Sequence, residues 1–316
     1  VLLLALVLAL SAACTRGSDN AGPASTTTRA APAPAAADDC PTGKRLAPGT
    51  STFSLTSHGF AREYAVYAPA SYTGRKRVPV VLEFHGFGSG AQQQMIYGNF
   101  GPAADRDGFL VVGPQGQGQP RHFTLLGAAS GEEDDVQFVG DLLDHLQQTL
   151  CVDPARVYST GMSNGGALTA LLACRLSDRI AAFASVAAVV WGPQCEAART
   201  VPIIAFHGTA DPIVPFNGGR VTCCGNPTIA GAPDTMANWA RHDGCGPQAT
   251  EEPVKGTVTV RRWTRCKPGG VVELYVVGGG GHTWPGATIS AGFLGQASKD
   301  IDASAVIWDF FRDKTL

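Results

Sequence analysis

Between residues 78 and 277, short dense apolar runs alternate with stretches of helical spacing, and this alternation constrains the fold more than any other feature of the chain. The run 78–84, Val-Pro-Val-Val-Leu-Glu-Phe, is apolar on both sides of a pleat and so suits a strand covered on both faces. Further strands are predicted at 53–56, 62–68, 109–113, 156–160, 180–189, 201–206, 257–264 and 271–277. Helices are predicted at 92–105, 136–150, 164–176, 235–242 and 304–312, with Asp134 or Asp135 capping the second. Strands joined through helices pair in parallel, because a hairpin cannot return the chain in the same direction. The expected architecture is one α/β domain over residues 40–316, a doubly wound and mostly parallel sheet with helices on both faces. Its reactive side chains belong at the C-terminal strand ends. Too few residues separate 189 from 201 to admit a large lid domain at that point.

An apolar fraction of 44% in 316 residues is ample for a core. The formal net charge of -2, with Lys and Arg scattered, forms no basic stripe, so neither nucleic acid nor an anionic membrane surface is expected as a partner. Residues 1–13 are almost wholly apolar; the run is shorter than the roughly 20 residues needed to span a bilayer, but fits an export signal. It ends in Leu10-Ser11-Ala12-Ala13-Cys14, small residues before a cysteine, the pattern in which that cysteine is lipidated. Ordinary cleavage with release is the alternative. Residues 15–39, rich in Ala, Pro, Ser and Thr, read as a disordered tether. The chain is thus expected outside the cell as a monomer, secreted or held as a bacterial surface lipoprotein, with membrane contact only through the anchor. Its nine cysteines agree with an oxidising compartment. Setting Cys14 aside, eight remain, and Cys245 with Cys266 is the expected pair, since one follows a helix and the other ends a strand of the next hairpin. Neither C-x-x-C nor H-E-x-x-H occurs, so no metal is expected.

Gly161-Met162-Ser163-Asn164-Gly165 lies where a predicted strand meets a predicted helix, the context in which G-x-S-x-G lifts a serine out of the sheet. A serine hydroxyl needs a base to take its proton and an acid to orient that base, and in this fold acid and then histidine follow the serine along the chain. Asp211 follows strand 201–206 directly, and His282 follows strand 271–277 through the glycine run 278–281. His122 is the competing base. Asp234, Asp243, Asp300 and Asp302 are the competing acids, and His207 is expected to support the Asp211 loop. The oxyanion of acyl transfer calls for two backbone donors, and Asn164 with Phe87, in His85-Gly86-Phe87-Gly88, is the expected pair.

Taken together, His85-Gly86-Phe87-Gly88, Gly161-Met162-Ser163-Asn164-Gly165-Gly166, His207-Gly208-Thr209-Ala210-Asp211 and Gly281-His282-Thr283-Trp284-Pro285-Gly286 resemble the polyhydroxybutyrate depolymerase-like esterases. These are relatives of the feruloyl and acetylxylan esterases of carbohydrate esterase family 1. The resemblance runs from about Cys40 to the C-terminus and implies a single-domain α/β-hydrolase fold, a Ser-His-Asp triad and no cofactor. One stretch departs from it: Pro120-Arg121-His122-Phe123 stands where many relatives carry a Trp-bearing loop. The expected substrate is a polymeric or bulky ester in an open cleft walled by Trp284, Phe216 and the Cys223-Cys224 segment, with His122 contributing. A serine peptidase, or a tethered polymer- or glycan-binding protein on the same fold, is the alternative.

Overall fold

The structure, a computed structural model, describes residues 40, 44–125, 134–191, 195, 197–289 and 291–316. The expected export signal, Cys14 and the tether lie outside the described residues.

The chain enters through an antiparallel pair, β1 (Gly49–Ser57) and β2 (Phe60–Ala68), and then forms β3 (Val78–Phe84). Two short helices follow, α1 (Ala91–Gly98) and α2 (Gly101–Asp107), then β4 (Leu110–Pro114), α3 (Asp135–Thr149), β5 (Val152–Met162), α4 (Asn164–Arg175), β6 (Ala182–Val186) and β7 (Pro202–Gly208). A small hairpin, β8 (Gly218–Arg220) with β9 (Thr228–Ala230), precedes α5 (Ala232–His242). Then come β10 (Ala249–Lys255), β11 (Val258–Trp263), β12 (Val271–Val277), a single 3-10 turn at Gly292–Leu294 and α6 (Ala303–Phe311).

Ten strands form one sheet in the order β1-β2-β4-β3-β5-β6-β7-β12-β11-β10. The six from β4 to β12 are parallel, and the pairs outside them antiparallel. One face is covered by α3, α4 and α5 through Phe138, Leu142, Leu172, Met236 and Trp239; the other by α2 and α6 through Phe100, Ile307, Trp308 and Phe311. The sheet reverses its order at β3, whose successor β4 lies on one side and β5 on the other, and the crevice at such a reversal is where open α/β sheets bind ligands.

Several expected boundaries shift. The helix predicted over 92–105 is two helices, because Asn99 turns left-handed at φ 51° and ends the first. Strand 180–189 shortens to β6, since Ala187 leaves extended backbone at φ 57°. Asp134, rather than Asp135, caps α3 by accepting from Val136 and Gln137 N–H. The buried Asp135 instead meets Arg62 at 2.5 Å and accepts from Thr124 N–H at 2.6 Å. Among the described residues there are four disulfides: Cys40–Cys151, Cys174–Cys195, Cys223–Cys224 and Cys245–Cys266. The first closes 111 residues, enough to restrict the unfolded chain by about 4 to 5 kcal/mol in the chain-entropy account.

Candidate active site

Ser163 sits between β5 and α4 with φ 56° and ψ -118°, a conformation that ordinary residues avoid. Its surroundings explain both the strain and the glycines. A Cβ on Gly161 would stand 2.6 Å from the Gly165 carbonyl, and one on Gly165 would stand 2.2 Å from the Phe84 carbonyl. The turn is therefore pressed against the end of β3, and only glycine fits there. The Ser163 N–H is fixed by Val186 C=O at 2.8 Å, so neighbouring backbone holds the strained residue in place.

The β3 end supplies the adjoining loop. His85 is fully buried; its Nδ1 lies 2.8 Å from Gly86 O and its Nε2 accepts from Gly116 N–H at 2.9 Å. These two contacts assign the proton to Nδ1, and burial drives the imidazole pKa down to about 4, so His85 is a neutral brace for the loop. A Cβ on Gly86 would lie 3.4 Å from Ser163 Cβ, which puts the loop directly beside the serine. Among the described residues, neither the Phe87 N–H nor the Asn164 N–H is taken up by a backbone carbonyl. The Asn164 side chain grips the Phe123 backbone at both ends, accepting from its N–H at 2.7 Å and donating to its C=O at 3.0 Å. His122 turns outward, its ring 5.5 Å from that of the exposed Phe87. It stands beside the Phe87 loop, apart from any contact with a carboxylate among the described residues.

Asp211 and His282 meet over the same strand ends. His282 Nδ1 lies 2.8 Å from Asp211 Oδ2, while Asp211 Oδ1 accepts from Ile213 and Val214 N–H at 2.8 Å each. Burial pushes the Asp211 carboxyl up, but hydrogen bonds from His207 and His282 outweigh it and hold the pKa well below the usual carboxylate range. His207 Nε2 donates to Val214 C=O at 2.9 Å and stands 3.4 Å from Asp211 Oδ2, bracing the acid turn. The acid turn and the histidine loop are stitched together by Ala210 N–H to Gly280 C=O and by Gly279 N–H to Thr209 Oγ1. His282 N–H is held by Leu294 C=O at 2.7 Å. Among the described residues Ser163 Oγ makes no side-chain hydrogen bond; such contacts are often loose until substrate arrives.

The competing acids have other work. Asp243 accepts from Val201 N–H and His242, Asp300 from Thr257, and Asp302 caps α6; Asp234 lies in the first turn of α5. Two expected cleft residues are corrected. Trp284 is 1% exposed, packs on Phe100 and donates through Nε1 to Ser304 Oγ, so it belongs to the core beneath α6. Phe216 is 8% exposed and packs edge-on against His207, supporting the acid turn rather than walling a cleft. Sequence reasoning missed His85 as the loop brace and Thr209 as the link between loops; the histidine directly after an apolar strand was the available signal for the first. Among the described residues no cluster of His, Cys, Asp and Glu is placed to hold a metal ion.

The sequence pattern of the family described as Esterase PHB depolymerase matches residues 62–229, over half of the chain. The chain belongs to the PHB depolymerase esterase family. This PHB depolymerase-family chain is 33% identical over 75% of its length to Feruloyl esterase B of Piromyces equi, of whose length it spans only 45%. It is 28% identical to the NocK protein of Nocardia uniformis subsp. tsuyamanensis over 97% of its own length and 96% of that protein. Among solved structures, the acetyl xylan esterase from Aspergillus awamori superposes with a TM-score of 0.57 at 13% identity, covering 74% of this chain and 94% of that one. At that identity the likeness speaks for the fold, an open α/β-hydrolase sheet.

Proposed function

We propose that this PHB depolymerase-family esterase is a serine carboxylesterase acting on a polymeric or bulky ester through an acyl-enzyme. The observation that carries the reading is the 2.8 Å contact of His282 Nδ1 with Asp211 Oδ2, over the same sheet edge as the strained Ser163 turn. His282 Nε2 takes the proton of Ser163 as Oγ bonds to the ester carbonyl carbon; the carbonyl oxygen becomes an oxyanion facing the N–H groups of Phe87 and Asn164. The C–O bond to the alcohol then breaks and His282 returns the proton to the departing oxygen. Water repeats the sequence on the acyl-enzyme, releasing the acid and restoring the serine. Asp211, ionised, keeps the Nδ1 proton in place and so leaves Nε2 free to act as base. No resident cofactor enters the scheme.

A parent protein that hydrolyses p-nitrophenyl acetate and is labelled at Ser163 by a fluorophosphonate, with both lost in folded Ser163→Ala, is the expected result. Undiminished hydrolysis by that variant would remove Ser163 from the mechanism. An unlabelled parent would leave a binding protein as the better description. Relatives bearing feruloyl and acetylxylan esterase names support a feruloyl or acetylxylan ester, and turnover of methyl ferulate, acetylated xylan and polyhydroxybutyrate side by side ranks the substrates. The four disulfides support an extracellular setting. Mass spectrometry of the mature N-terminus tests lipidation of Cys14 against release.

A further inference from the structure

Three of the four disulfides have a ready stabilising account, because they close 111, 21 and 21 residues. Cys223–Cys224 joins sequence neighbours and closes no loop, so that account does not reach it. Its placement suggests another role. Leu125, Val190, Ile213, Cys223 and Ile229 are half-buried and pack around a small core of Ala167, Ala188, Val214 and Val221.

This patch is tied at three points to the proposed machinery. Ala167 N–H donates to Ser163 C=O at 2.8 Å; Leu125 lies two residues beyond Phe123, which Asn164 grips; and Ile213 and Val214 are the donors to Asp211 Oδ1. The cysteine tip is fastened to the same acid turn, since Thr222 N–H donates to Ile213 C=O at 3.0 Å and its hydroxyl to Pro212 C=O at 3.1 Å. The tip is held in shape by Val221 N–H to Pro227 C=O and Asn226 N–H to Cys223 C=O, both 2.8 Å. A bonded pair carries no S–H and no charge, so in this form it is neither nucleophile nor metal ligand. What it offers is a rigid, polarisable apolar surface. The cavity of about 360 Å³ beside Gly88 has the opposite character, lined by Thr52, Glu63, Gln92, Gln93, Gln115 and Arg121.

We propose that the Cys223–Cys224 pair, with Leu125, Val190 and Ile213, is the surface on which the apolar acyl half of the ester rests, and that it sets the acyl preference. The proposal rests on the reading of Ser163 as nucleophile. The test compares kcat/KM for p-nitrophenyl acetate and p-nitrophenyl octanoate in the parent and in the Cys223→Ala/Cys224→Ala double variant. The octanoate-to-acetate ratio should fall about 10-fold, the loss falling mainly on octanoate. An equal loss on both esters, or an unchanged ratio, overturns the proposal. Should the double variant fail to fold, Leu125→Ser and Val190→Ser carry the same expectation and the same overturning outcome. Fluorophosphonate labelling of the parent separates the two levels: a labelled serine with an unchanged ratio removes only the acyl surface, while an unlabelled serine removes the nucleophile reading beneath it.

Discussion

Asp211 meets His282 through one carboxylate oxygen only; the other oxygen is fully engaged by the N–H groups of Ile213 and Val214. The two oxygens thus divide the work between turn and imidazole, and a change at Oδ2 leaves the turn's own hydrogen bonds available.

Asp211→Asn should accordingly fold while losing about 10³- to 10⁴-fold in kcat, because an amide offers the imidazole an N–H and favours the wrong tautomer. KM should move little. Steady-state kinetics with p-nitrophenyl acetate check it, and a loss below tenfold would place the orienting acid elsewhere.

Asn164→Ala keeps the backbone N–H proposed for the oxyanion but releases both grips on Phe123. Two largely buried hydrogen bonds at about 0.5 to 1.5 kcal/mol each should lower stability by about 1 to 3 kcal/mol. Activity should fall about tenfold as the loop carrying His122 loosens. Urea midpoints and kcat/KM measure the two effects separately.

Glu83 is wholly buried, with Gln94 donating to Oε1 at 3.0 Å and no partner for Oε2 among the described residues. Burial raises its pKa to about 8, so the folded protein holds a proton that the unfolded chain releases above about pH 4.5. Stability from this group is complete below that pH and declines as pH rises toward 8. Glu83→Gln, which cannot ionise, should gain on the parent progressively across that window. Denaturation midpoints at several pH values test it, and parallel pH curves for the two proteins would contradict the assignment.

Arg62 and Asp135, with side chains 1% and 3% exposed, form a buried ion pair, and the Arg62 guanidinium lies over the Phe138 ring at 3.8 Å. Removing the carboxylate takes away a buried partner of the Arg62 charge, so Asp135→Ala should cost about 3 to 5 kcal/mol, read from urea midpoints. Asp135 also holds Thr124 N–H, next to the Phe123 that Asn164 grips, so kcat/KM should fall as well. Replacing both charges with apolar residues of similar volume should recover most of the stability.

The parallel centre of the sheet was legible because strands buried on both faces write themselves as dense apolar runs, as β3 and β7 do apart from Glu83 and His207. β10 was not, since Ala-Thr-Glu-Glu-Pro-Val-Lys is an exposed edge strand whose charges and Pro253 guard the edge and erase the pattern. The break between α1 and α2 was hidden because spacing carries on across it. There Gly98 makes room for Glu83, whose carboxylate would lie 2.0 Å from a Cβ at that position. In the proposed site, Ser163 was marked by glycines that crowding demands, and Asp211 and His282 by their order after strands. The direction of an aromatic beside such residues leaves no trace in sequence, which is why Trp284 was expected in the cleft and lies instead against Ser304 and Phe100.

The Cys40–Cys151 bond ties the chain ahead of β1 to the junction of α3 and β5. Tension arriving along the polypeptide ahead of Cys40 is thereby routed into the middle of the parallel sheet. The outlying hairpin β1–β2 is spared that pull and has no need to resist being peeled away.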